Sequence, residues 1–80
     1  LHLTLTTNQS SHSDIIGSVI TISYDDVINT YTWNGTELVI TLPINVEYTI
    51  SFGEIANYKS PDSVSYISTI ANNRFITATY

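Results

Sequence analysis

Residues 37–52 read ELVITLPINVEYTISF, two six-residue segments of alternating character around a proline-containing link. Leu38, Ile40 and Leu42 fall on one side of the first, and Tyr48, Ile50 and Phe52 on one side of the second. A period of two over six residues belongs to a strand with one face in a core. Pro43 has no N–H to give to a ladder and so ends the first strand. Asn45 tolerates the left-handed backbone that a turn requires. The stretch predicts two strands at the centre of a β-sandwich, with the remaining chain supplying their neighbours.

The chain of 80 residues bounds the answer to one domain, residues 1–80, near the lower limit for folding without staples. There is no cysteine, which removes disulfides, thiol chemistry and Cys-ligated metals. Stability must therefore come from apolar burial, which a 42% hydrophobic content permits. Charged residues are only 11%, and Ser, Thr and Asn are plentiful, a composition suited to strands with one wet face. The net charge is −5, with Lys59 and Arg74 the only fixed cations. Two cations cannot build the basic patch that nucleic acid requires, and an anionic membrane surface is disfavoured alike. No apolar run approaches the ~20 residues that span a bilayer. The absence of methionine suggests a module excised from a longer chain.

Outward from residues 37–52, the alternation recurs. Residues 1–7 alternate, with Leu1, Leu3 and Leu5 on one side. Residues 8–14 (NQSSHSD) are polar and aperiodic, a loop. Residues 15–24 run into a strand with Ile20, Ile22 and Tyr24 on one face, and Asp25-Asp26 is a turn. Residues 27–33 form the next strand, and Asn34-Gly35 carries the type I′ hairpin signal that would join Trp33 to the 37–42 strand. Residues 53–62 (GEIANYKSPD) read as a long irregular connection anchored by Ile55 and Tyr58. Residues 63–69 and 74–80 resume alternation around a second hairpin turn at Asn72-Asn73. The sum is an all-β, seven-stranded antiparallel sandwich with Trp33, Tyr48 and Phe52 in its core.

The runs IIGSVITISYDD (15–26), YTWNGTELVITLP (31–43), VEYTISF (46–52) and ANYKSP (56–61) follow one another in a familiar order. Gly17-Ser18 before a strand, Gly35 in a turn, Leu42-Pro43 at a strand end, Tyr48 and then Tyr58 with Pro61 carry the pattern. It resembles the transthyretin-like (prealbumin-like) β-sandwich modules of bacterial surface proteins, the Cna-B, PEGA and carboxypeptidase-regulatory-like group. The resemblance implies an Ig-like or transthyretin-like sandwich acting as a non-catalytic spacer or recognition unit, extracellular or on the bacterial surface. It also implies that the partners are neighbouring domains or another protein. Some Cna-B-type modules carry a Lys–Asn isopeptide bond. The only lysine here, Lys59, falls in the expected 53–62 connection instead of an early strand.

No stretch names a reaction. Asp25-Asp26 could bind Ca²⁺, but no D-x-D-x-D spacing surrounds the pair, so it reads as a solvated turn. His2 and His12 stand ten residues apart without a third ligand or supporting shell. The SSHSD run holds Ser, His and Asp, yet a triad needs a nucleophile touching an oriented base beside an oxyanion hole. No enzyme, cofactor or metal is expected. Asn8-Gln9-Ser10 and Asn34-Gly35-Thr36 fit the glycosylation sequon and read as turns. The alternative to a spacer is a carbohydrate-binding module, with Tyr31, Tyr58, Tyr66 and Tyr80 as the ligand-contact rings for a polysaccharide. That reading requires at least two of these rings exposed and coplanar.

Overall fold

A computed structural model describes residues 1–9, 12–68 and 74–80. The described residues form strands β1 (His2–Thr6), β2 (Val19–Tyr24), β3 (Val27–Thr32), β4 (Leu38–Val39), β5 (Glu47–Phe52), β6 (Val64–Ile67) and β7 (Phe75–Thr79). A single 3-10 turn, His12–Ile15, lies between β1 and β2, and there is no α-helix among the described residues. The strands make two sheets, one of three strands in the order β4-β1-β7 and one of four in the order β3-β2-β5-β6. The architecture is all-β and sandwich-like.

Alternation sets the inward faces as expected. Leu3, Leu5 and Ala78 from the smaller sheet share one buried cluster with Ile20, Ile22, Tyr48 and Ile50 from the larger. Trp33, Ile40 and Tyr80, each just past the end of a strand, and Ile15 at the end of the 3-10 turn close its margins. Of the six alternating residues of the 37–52 stretch, Ile40, Tyr48 and Ile50 are buried, while Leu38, Leu42 and Phe52 are half-buried at the margin of the core. Trp33 is only 4% exposed and belongs to the core.

Strand pairing departs from the expectation in four places. First, the 37–42 strand is not central. Only Leu38–Val39 enters a ladder, at the edge of the smaller sheet. The antiparallel register sets His2 opposite Val39 and Leu3 opposite Leu38. Leu1 then meets Ile40, bonded in both directions at 2.9 Å. Of the two segments in the deciding stretch, only β5 is interior to its sheet, between β2 and β6.

Second, Asn34-Gly35 turns the chain but makes no hairpin, because β3 and β4 lie in different sheets. Trp33 still pairs back to the start of β2, through its N–H to the Ser18 carbonyl (2.9 Å) and its carbonyl to the Gly17 N–H (2.8 Å). The Asn34 side-chain oxygen then accepts from both the backbone N–H and hydroxyl of Thr36, at 3.0 and 2.7 Å. Gly35 takes φ 95°. The local turn chemistry is satisfied, and burial of Ile40 and Leu38 sends the chain across to β1. The tight two-residue hairpin occurs instead at Asp25-Asp26, with φ 46° and 63° and Tyr24 paired to Val27.

Third, the sheets are not antiparallel throughout: β1 and β7 run parallel, from His2↔Phe75 to Thr6↔Thr79. No short connection links these two strands, so nothing forces the antiparallel choice that a hairpin imposes. Fourth, the strand expected from residue 15 begins at Val19, because His12–Ile15 forms a turn that buries Ile15. The hairpin expected at Asn72-Asn73 lies outside the described residues, and its flanking strands β6 and β7 belong to different sheets.

Candidate functional site

The four tyrosines singled out by the sequence do not share a surface. Tyr31 on β3 pairs with buried Ile20, so its ring leans inward at one edge of the larger sheet. Tyr66 on β6 pairs with buried Tyr48 at the opposite edge. Three strand spacings, about 14 Å, separate those edges. Both rings are half-buried. Tyr66 is covered by the Arg74 guanidinium, 4.0 Å from the ring centroid, and tilts at 45° to Tyr48 with centroids 6.1 Å apart. A cation over a ring face is attracted by its quadrupole and also occupies the face that a sugar would use.

Tyr58 lies in the 53–62 connection and Tyr80 packs against it. Tyr80 is buried, and its hydroxyl donates to the Gly53 carbonyl at 2.7 Å. The same oxygen accepts from the Ser60 hydroxyl at 3.0 Å. Gly53 in turn donates to the Val19 carbonyl at 2.8 Å, which fastens the connection to β2. Asn57 takes φ 69°, and the Tyr58 N–H closes a turn onto the Ile55 carbonyl at 3.0 Å. Tyr58 is thereby aimed at the 3-10 turn, where its hydroxyl donates to the Asp14 carboxylate at 3.0 Å. Loss of solvent and then the neighbouring Asp14 push the Tyr58 hydroxyl above its ordinary acidity range.

Shallow clefts flank this connection. One of about 500 Å³ is lined by Gln9, Asp14, Asn57 and Tyr58, and one of about 440 Å³ by Glu54, Ile55, Tyr58 and Lys59. Tyr58 stands between them with amide, carboxylate and ammonium groups around it, while Tyr80 is buried in the core and also lines a third, smaller cleft. The arrangement can donate and accept hydrogen bonds to a small polar ligand beside a half-buried tyrosine.

The other residues considered for chemistry are dispersed. Asp25 and Asp26 are exposed at the β2–β3 turn. His12 is exposed on the 3-10 turn. His2 lies on the outer face of the smaller sheet, its Nδ1 3.0 Å from Glu37 Oε1 and its ring stacked on Phe75 at 4.3 Å. Among the described residues, no group of three or more His, Asp or Glu side chains converges. Asp14, the one acid of the SSHSD run, is engaged by Tyr58. That contact spans 44 residues, so no local spacing could have announced it. The Arg74–Tyr66 and His2–Phe75 contacts are equally non-local. Comparison with protein-family models, with curated proteins and with solved structures returns no match to this chain.

Proposed function

We propose that this chain is a non-catalytic, transthyretin-like β-sandwich module that serves as a structural spacer or protein-interaction unit of a larger bacterial surface protein, outside the cell. The observation that carries the reading is the parallel pairing of β1 with β7. Side by side and parallel, they let the chain enter at the Leu1 end and leave at the Tyr80 end, separated by about 15–20 Å of strand. Such a module adds length when strung in series, and its own long axis is 38 Å. The division of strands supports the finer fold type. An immunoglobulin sandwich keeps its first, second, fourth and fifth strands together. Here the first, fourth and seventh share one sheet and the rest share the other, which favours the transthyretin-like alternative.

The surface fits the same role. The outward positions of the larger sheet are largely hydroxyl-bearing, with Thr49 bonded to Ser65 at 2.9 Å and Ser63 to Ser51 at 3.2 Å. Two copies joined Tyr80 to Leu1 test the proposal. Small-angle scattering should give a maximum dimension approaching that of two modules end to end, and a compact side-by-side pair would overturn the spacer. The carbohydrate alternative retains only the Tyr58 clefts. A saturable change in fluorescence with soluble polysaccharides, lost on Tyr58→Ala, would replace the spacer reading with that one.

A further inference from the structure

β1 and β7 hold the two ends of the chain, and their ladder runs over five residue pairs. It is bracketed by the His2 N–H to the Arg74 carbonyl at 2.8 Å and the Tyr80 N–H to the Thr6 carbonyl at 2.9 Å. The chain enters β1 at one end of this ladder and leaves β7 at the other. Tension between the chain ends therefore draws two neighbouring strands past each other along their own axes. Because that displacement runs along the strands and across the bonds between them, the ladder bonds are strained together instead of in turn. A pair pulled from the same end would instead be peeled, one bond after another. From this geometry we propose that the module is load-bearing, with the β1–β7 ladder a mechanical clamp against extension.

Three further features reinforce the clamp. Leu3, Leu5 and Ala78 lie beneath it in the core, so sliding would drag buried side chains past their neighbours and admit water to the ladder. On the outer side, the His2 ring lies almost flat on Phe75, with 15° between planes, over the first registered pair. Each end is also tied down. The Leu1 nitrogen donates to the Ile40 carbonyl at 2.9 Å, and the Tyr80 hydroxyl donates to the Gly53 carbonyl at 2.7 Å. The clamp deepens the spacer reading and rests on it for its purpose, since only a module in series carries tension.

The chain contains no cysteine, so one introduced thiol gives a unique attachment. The Phe75→Cys variant of the full chain, with peptide tags at both termini, is held in an optical trap in two ways. Pulling between the two terminal tags shears β1 against β7. Pulling between the amino-terminal tag and Cys at position 75 loads residues that face each other at the same end, His2↔Phe75, and peels the ladder. Because both pulls use one protein, any loss of stability from the substitution cancels. The expected result is a severalfold higher unfolding force for the end-to-end pull at equal loading rate. Equal forces, or a weaker end-to-end pull, would overturn the clamp while leaving the tandem length, and so the spacer reading, untouched.

Discussion

At the scale of single residues, Tyr80 joins two interactions that phenylalanine would separate. Its ring is buried, and its hydroxyl reaches a Gly53 oxygen that Ser60 also serves. Tyr80→Phe should cost about 1 kcal/mol in urea denaturation, because the carbonyl keeps one donor. Burial pushes the Tyr80 hydroxyl above its ordinary range, and burial does the same at Tyr48 against the opposing pull of Arg74. The unfolded chain then releases these protons first, from about pH 10 upward. Their contribution to stability is full below that pH and is lost as pH rises beyond it. The melting temperature should begin to fall near pH 10, less steeply in Tyr80→Phe; identical profiles would mean that the hydroxyl is as free in the folded chain as in the unfolded one. Two isoleucines give the matching test of the core. Ile50 is fully buried and Ile28 is 71% exposed. Ile50→Ala should cost roughly 2–5 kcal/mol, a large share of the ~5–10 kcal/mol expected of a domain this size. Ile28→Ala should stay within about 0.5 kcal/mol.

At the scale of elements, the β2–β3 hairpin is held by a turn with a built-in cost. Asp25 and Asp26 both take positive φ, a conformation that costs a residue with a Cβ about 1 kcal/mol and is best served by Asn-Gly. Two adjacent carboxylates add repulsion. Changing Asp25→Asn together with Asp26→Gly should raise stability by about 1 kcal/mol, read as a higher urea midpoint at unchanged slope. A fall in midpoint would show that the acids make contacts that outweigh the strain. The Asn34-Gly35 turn teaches a different lesson. Its internal hydrogen bonds are those that the dipeptide favours, yet the strand after it crosses to the other sheet. Turn chemistry sets the bend, and the partner is chosen by what the next strand can bury.

At the scale of the molecule, both sheets bury their inner faces in one shared cluster, so neither has a core of its own. Urea unfolding should therefore be a single transition, with Trp33 fluorescence and far-ultraviolet circular dichroism coincident. Separate midpoints would indicate that the sheets come apart independently. The β1–β7 pairing closes a loop of nearly the whole chain, and such non-local contacts repay their entropy late. Refolding in the millisecond-to-second range follows for a topology of this kind. The same pairing separates the chain ends, which is why the spacer and the clamp both rest on a long-range contact.

The sequence by itself determined the strand class, the inward faces and most of the bends. Leu3 and Leu5, Ile20 and Ile22, and Tyr48 and Ile50 are buried in the alternation that their spacing dictates, and Asn45 takes the turn φ of 61°. These features rest on interactions within a few residues, which a local pattern records. Only the tertiary structure decided which strand lies beside which, that β1 and β7 run parallel, and that Tyr58 meets Asp14 while Arg74 covers Tyr66. Strand edges present the same backbone donors and acceptors whatever their sequence. The choice among partners falls to burial summed over the whole chain, and that sum exists only once the two sheets have met.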